Sequence, residues 1–301
     1  MHWHILGAGA IGLLWAGRLL QAGHSVTLIL RDEEKLRSYQ ENQGFSIETD
    51  AGQSHFCPPA ALASDCHWID HLLITTKAFA VLDAYDTVSS KLADTACILL
   101  LHNGMGPQQT MLDNAPQHEI WAGSTTDGAY FKAPWQLVQA GQGETHIGVL
   151  SKVSKCTLPT DLRSCIPKLI EDQDIEAVLW RKLAINCAIN PLTAIFNCRN
   201  GELLKYDDRR AAMAQICREV EQIAKAHNIQ LFDRKLMEQA WDVAELTGEN
   251  HSSMQQDMAH GRQTEIEEIT GFLCRAAEQA GIPVPANQLT LDAVRGMSAD
   301  Q

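Results

Sequence analysis

One short segment constrains the fold of this chain more than any other. Leu6-Gly7-Ala8-Gly9-Ala10-Ile11-Gly12 follows an apolar run, His2 to Leu6, and opens an amphipathic stretch that reaches about Gln21. The pattern G-x-G-x-x-G, set between a strand and a helix, is the turn of a βαβ unit that binds a dinucleotide. Gly7 then permits the tight turn, Gly9 lets the backbone approach a pyrophosphate, and Gly12 allows close helix packing. Ala10 and Ile11 fall in the first helical turn, whose amides receive the phosphates. Gly23 separates this helix from a second strand, Ser25 to Leu30, as a glycine just past a helix end does. Glycines also serve ordinary strand-to-helix turns, but the flanking βαβ pattern favours nucleotide binding.

The end of the second strand distinguishes the two nicotinamide dinucleotides, because an acid there binds a ribose 2′-hydroxyl and an arginine accepts a 2′-phosphate. That position is Arg31, which favours NADP, with Asp32 directly after it. Asp32 either accepts from a ribose hydroxyl or repels a phosphate if it points inward. Lys77 follows a strand ending in Thr75-Thr76, at the carboxyl end where open α/β sheets bind ligands. Asn103, in His102-Asn103-Gly104-Met105-Gly106, leaves the apolar strand Cys97 to Leu101 with donors and an acceptor suited to a nicotinamide amide or a catalytic side chain. A plain surface lysine and a plain Asn-Gly turn are the competing readings.

Further apolar runs at Phe45-Ser46-Ile47, His71 to Thr76, Cys97 to Leu101 and Glu144 to Val149 alternate with polar or helical stretches, which predicts a mainly parallel sheet with helices. From about Glu176 the pattern turns helical: Glu176 to Ile195, Arg209 to His227, Arg234 to Leu246, Ser252 to Glu278 and a short tail helix. The expected organisation is an α/β dinucleotide-binding domain over residues 1–174 and an all-α domain over 175–301. A net charge of −13 disfavours a non-specific nucleic-acid binder. Nine scattered cysteines without a C-x-x-C pair indicate neither a metal site nor a disulfide framework, and no long apolar run suggests a membrane span. With no leader-like N-terminus, a cytoplasmic protein is expected.

Two polar stripes mark the helical half. Lys182, Asn186 and Asn190 fall at i, i+4 and i+8 among almost wholly apolar neighbours, so one face of a buried helix carries a lysine and two amides. Each orphaned buried group costs about 1–3 kcal/mol, so the stripe is expected to face a ligand. The alternative is a lysine that reaches solvent and amides that bond to loops. Asn250, Ser253, Asp257, Gly261 and then Thr264 or Glu265 give a second stripe at spacings of 3 and 4, with Gly261 placed inside the helix. By pattern alone Asp257 can pair with a basic residue, and Glu265, beside Glu267 and Glu268, fits a solvated acidic face.

Taken together, the glycine turn with Arg31, Lys77, the His102 to Gly106 turn, Trp180 to Thr193, Glu249 to Asp257 and Thr264-Glu265-Ile266 resemble ketopantoate reductase over nearly the whole length. The resemblance implies a Rossmann domain joined to a helical domain, with ketopantoate, the small-molecule substrate, in the cleft between them. It also implies NADPH-dependent 2-dehydropantoate 2-reductase activity in pantothenate and coenzyme A biosynthesis. Lys182 matches the family's catalytic lysine and Glu265 its active-site carboxylate. Asn103, Asn186, Asn190, Asn250 and Ser253 match polar positions that contact cofactor or substrate, and Asp257 a nearby acidic one. Asp32 and Asp127 stand where family members vary, which bears on coenzyme preference and keto-acid choice. A monomer or homodimer is expected. Two alternatives stand beside this: a reductase of another branched 2-keto acid, and a non-catalytic NADP(H) sensor.

Overall fold

The computed structural model describes residues 1–151 and 162–299. It divides into two compact units, Met1–His102 with Pro107–Ile175, and Asn103–Gly106 with Glu176–Gln301. In chain order the strands of the first unit are β1 (His2–Leu6), β2 (Ser25–Leu30), β3 (Phe45–Thr49), β4 (Gly52–Phe56), β5 (Ala60–Leu62), β6 (Ile69–Ile74), β7 (Leu92–Leu100), β8 (Glu119–Thr125), β9 (Gly128–Ala133), β10 (Gln136–Gly141), β11 (Thr145–Val149) and β12 (Leu169–Glu171). Its helices are α1 (Ala10–Gln21), α2 (Glu33–Glu41), α3 (Val81–Val88), α4 (Pro107–Asn114) and α5 (Leu162–Cys165).

The main sheet has the order β12-β11-β8-β7-β6-β1-β2-β5 and is parallel in every pair except β8 with β11. Both faces are covered, which is why its central strands are almost continuously apolar. On one face Trp3 and Ile5 of β1 pack with Leu73 and Leu99; on the other Leu6 packs with Leu72, Ile74, Ile98 and Leu100. Such side chains each contribute about 1.5–3 kcal/mol on burial.

A second sheet, β4-β3-β10-β9, is mostly antiparallel and was not foreseen. Phe45-Ser46-Ile47 belongs to it rather than to the parallel sheet. Its inner face, with Phe45, Ile47, Trp135 and Leu137, shares one core with Leu13, Leu14, Trp15 and Leu19 of α1. A side-chain carbon at Gly17 would stand 2.5 Å from Ile47 Cδ1, so this sheet lies directly on α1. Burial on two sides explains why α1 is apolar nearly all round.

The second unit is helical: α6 (Ile175–Ile195), α7 (Asp207–Ala226), α8 (Leu236–Leu246), α9 (Ser253–Ala259), α10 (Phe272–Ala280) and α11 (Pro285–Ala299). Buried Glu219 on α7 accepts hydrogen bonds from the Ala286 and Asn287 amides and from Asn287 Nδ2, so it pins the first turn of α11, where a carboxylate is favoured by the helix dipole. Among the described residues no helix is long and apolar enough to cross a membrane.

The single helix expected from Ser252 to Glu278 does not form. Ser252 caps α9 by accepting from the Gln255 amide, and α9 ends at Ala259. Gly261 adopts φ +61°, while the Arg262 amide returns to the Asp257 carbonyl at 2.8 Å. The glycine is thus a helix stop in left-handed conformation, not a small residue on a helix face. The chain resumes as a π-helical turn, Glu267–Gly271, that runs into α10.

Candidate active site

Gly7 and Gly12 have the turn and packing geometry that the motif implies. Gly7 has φ +114°, and a side-chain carbon there would lie 2.7 Å from the Thr76 amide. At Gly12 it would strike the Gly7 carbonyl and stand 2.5 Å from Thr75 Oγ1, so no larger residue fits. Around Gly9, by contrast, the same construction meets nothing within 4 Å. Thr75, which sequence reasoning did not single out, clasps the turn by donating from Oγ1 to the Gly7 carbonyl at 2.6 Å.

This turn fits the pyrophosphate of a dinucleotide on structural grounds. Gly9 is the N-cap of α1 and offers no capping side chain, and the first turn, with Ala10 and Ile11, holds no acidic residue. The space around Gly9 is open, and no carboxylate of the first turn satisfies its amide dipoles. Thr76 beside it keeps a buried hydroxyl with no hydrogen-bond partner among the described residues.

Arg31 directly follows β2 with its side chain 79% exposed, and its Nε donates to Asp32 at 2.6 Å. Asp32 in turn caps α2 by accepting from the Lys35 amide at 2.7 Å, and that hydrogen bond, with the neighbouring Arg31, holds its carboxyl below the usual range. Asp32 is thus engaged in local structure and holds Arg31. Lys77 lies partly buried just past β6, at the head of the short 3₁₀ turn Ala78–Ala80.

Asp127 has a different task from the one considered for it. It forms a two-pronged ion pair with Arg18 of α1, at 2.6 and 2.9 Å, and also accepts from Thr125 Oγ1 and the Gly143 amide. With side chains 8% and 1% exposed, the pair fastens α1 to the β8–β9 connection. It is structural, and its carboxylate is already saturated with donors.

In the second unit, α6 carries Lys182, Asn186 and Asn190 on one face, as their spacing requires, and it runs on through Pro191. Leu183, Ala184, Cys187 and Ala188 on its other sides are buried. Lys182 is partly buried; desolvation pushes its ammonium down to about 8, with the charge of Glu265 opposing. Asn186, Asn190, Asn250 and Ser253 have no side-chain hydrogen-bond partner among the described residues. Asn250 and Ser253 are exposed, at the loop before α9 and at its first residue. Asp257, buried, pairs with Arg262 Nε at 3.0 Å, which is the structural one of its two readings.

Glu265 lies outside α9, in the turn before the π segment, and is only 3% exposed, which overturns the solvated acidic face. Its Oε2 accepts from Asn103 Nδ2 at 3.1 Å. The structure thus brings together Lys182, Glu265 and Asn103: a cation of lowered basicity, a buried carboxylate that favours its charge, and an amide held by that carboxylate. Such a cluster can polarise a carbonyl oxygen and deliver a proton to it.

The two halves of the chain match two models of one family: residues 3–152 match "Ketopantoate reductase PanE/ApbA" and residues 174–298 match "Ketopantoate reductase PanE/ApbA C terminal". The chain belongs to the ketopantoate reductase family. A family member from Shigella flexneri, named 2-dehydropantoate 2-reductase, is 36% identical over 97% of this chain and 93% of its own. The crystal structure of a PanE/ApbA family ketopantoate reductase from Ralstonia eutropha JMP134 superposes with TM-score 0.90 at 28% identity, covering 100% and 99% of the two chains. The ternary structure of D-mandelate dehydrogenase with NADH and anilino(oxo)acetate has TM-score 0.91 at 23% identity over 100% and 99%, and so shares the fold of this ketopantoate reductase family member.

Proposed function

We propose that this chain reduces 2-dehydropantoate (ketopantoate) to D-pantoate with NADPH, in the cytoplasm, as a monomer or homodimer and as a step toward pantothenate and coenzyme A. The observation that carries the reading is the cluster of Lys182 on α6, buried Glu265 and Asn103, whose Nδ2 donates to Glu265 Oε2; desolvation lowers that lysine to about 8. At neutral pH such a lysine is still protonated, yet it gives up its proton more readily than an exposed one.

The residues divide the work as follows. NADPH, when bound, supplies a hydride to C2 of the ketone. Gly7, Gly9, Ala10, Ile11 and Gly12 form the turn that receives its pyrophosphate, Arg31 takes the 2′-phosphate, and Lys77 and Asn103 add polar contacts to it. Lys182 donates a hydrogen bond to the C2 oxygen and then passes its proton to the alkoxide that develops there. Glu265 favours the charged lysine and fixes Asn103. Asn103, Asn186, Asn190, Asn250 and Ser253 hold the carboxylate and hydroxyl of the substrate, since neutral donors fix orientation without adding charge.

The direct test is loss of NADPH absorbance with purified protein and ketopantoate, with NADH and other branched 2-keto acids in parallel. NADPH-selective turnover of ketopantoate supports the proposal. Turnover confined to another keto acid replaces the substrate, and NADPH binding without any turnover replaces the enzyme with a sensor.

Two further results are expected. Because Lys182 must be protonated to act as the acid, kcat/KM for reduction should be flat near neutrality and fall as pH rises through about 8. A profile flat to pH 10 sinks that role. Arg31→Ala should raise KM for NADPH about 10-fold or more and leave KM for NADH nearly unchanged, because only NADPH carries the phosphate. An unchanged ratio of the two coenzymes moves the phosphate site to another basic residue.

A further inference from the structure

The loop Asn103–Gly106 follows the main-sheet strand β7 in sequence, yet its contacts group it with the helical unit. Three observations show what seats it there. The Met105 amide donates to the Glu268 carbonyl at 2.8 Å. Gly104 sits at φ +75°, and a side-chain carbon on it would stand 2.6 Å from that same carbonyl and 2.7 Å from Glu268 Cβ. Glu268 itself lies in the π-helical turn, one of the widened turns that concentrate at functional sites because they interrupt the regular helical ladder. Here the carbonyl of that turn serves a donor from outside the helix.

We infer that Gly104 is a positioning residue: it lets the loop seat on the Glu268 carbonyl, and this seat holds Asn103 Nδ2 on Glu265 Oε2. Asn103 Nδ2 is held at Glu265 Oε2, and the chain is fixed two residues later by the Met105 bond. Any side chain at 104 collides with backbone, which cannot turn aside as a flexible side chain can, and is disfavoured by the left-handed conformation as well. The loop must then lift, and Asn103 lifts with it. The Glu268 carboxyl lies in the same turn: burial and the negative charges of Glu265 and Glu267 raise it above the ordinary range, and its Oε2 is buried without a partner among the described residues.

The kinetic arm of the test rests on the proposed reduction; the exchange arm does not. Hydrogen exchange should show the Met105 amide protected in the wild-type chain and exchanging about 10-fold or more faster in Gly104→Ala, with amides of α6 unchanged. In ketopantoate reduction, Gly104→Ala and Asn103→Ala should each lower kcat about 10-fold or more, and the double variant should fall within about 2-fold of the worse single one, because both act through one contact. A Met105 amide that exchanges equally fast in both chains, or kinetic losses that multiply, overturns the inference. A wild-type chain that turns over no ketopantoate sinks the proposed function alone, and the exchange data still decide on the seat. Should Gly104→Ala not fold, Asn103→Asp serves. In a seated loop it sets a second carboxylate beside Glu265 and moves the alkaline limb of kcat/KM upward, whereas an unmoved limb contradicts the seat.

Discussion

Replacing Lys182 with alanine should lower kcat by about 10²-fold or more while NADPH still binds at the glycine turn with near wild-type affinity. The magnitude follows from the role: a positioned general acid contributes roughly 10²- to 10⁴-fold. The selectivity follows from placement, since Lys182 lies on α6 in the helical unit and the glycine turn lies in the other. Removing a partly buried cation from beside a buried carboxylate also disturbs structure, so the rate is read together with a second property. The discriminating readout is the pH profile. In wild type the alkaline fall through about 8 reports the lysine losing its proton, and in Lys182→Ala that limb should vanish. Cofactor fluorescence titration checks binding, and single-turnover kinetics isolates the chemical step. Wild-type turnover, or an alkaline limb that survives the substitution, would remove Lys182 from the reaction.

Much of the frame was legible in the sequence because it rests on local rules. The turn could be read because backbone geometry at Gly7 and close packing at Gly7 and Gly12 leave those two positions no alternative residue. The stripe Lys182, Asn186 and Asn190 could be read because an unbroken helix of 21 residues keeps the i, i+4, i+8 spacing on one face. The second stripe failed for the complementary reason. Asn250, Ser253, Asp257 and Gly261 keep helical spacing while the chain leaves the helix after Ala259, so periodicity ran past the true stop. Gly261 carried the correct signal, since glycine is costly inside a helix and favoured just beyond its end.

The second sheet was hidden because its strands lack the apolar alternation of a half-buried strand. All of β4 but Phe56 is exposed, and β9 exposes Tyr130 and Phe131. The three glutamates after Thr264 show a further limit. Composition makes them one acidic face, yet each has a different fate. Glu265 is buried on Asn103, Glu267 takes Arg295 in two hydrogen bonds at 2.6 and 2.8 Å, and Glu268 keeps a half-buried carboxyl with a raised pKa. Only the fold brings Arg295 from α11 and Asn103 from its loop to sort them. The family resemblance singles out Glu265, and the fold buries that carboxylate beside Lys182.

The Arg18–Asp127 pair carries the second large effect, on stability rather than rate. Asp127→Ala should destabilise the chain by about 3–5 kcal/mol, because it strands a buried guanidinium without its counter-charge. For a unit of this size that corresponds to a fall in Tm of roughly 10 °C. The loss should be far smaller in a paired replacement, Arg18→Met with Asp127→Leu, where no charge is left buried and apolar volume fills the space. Thermal unfolding of the three variants beside wild type makes the comparison. The same variants separate two roles for Asp127. If it chose between keto acids, Asp127→Ala would alter the ranking of substrates among the molecules that stay folded. Its two guanidinium bonds and the donors from Thr125 and Gly143 occupy the carboxylate, so the ranking should hold while Tm falls. A shifted ranking at unchanged Tm would reverse the assignment. Recovery in the paired replacement would show that the pair confers the geometry of α1 against its neighbours, at a net stability that apolar packing can match.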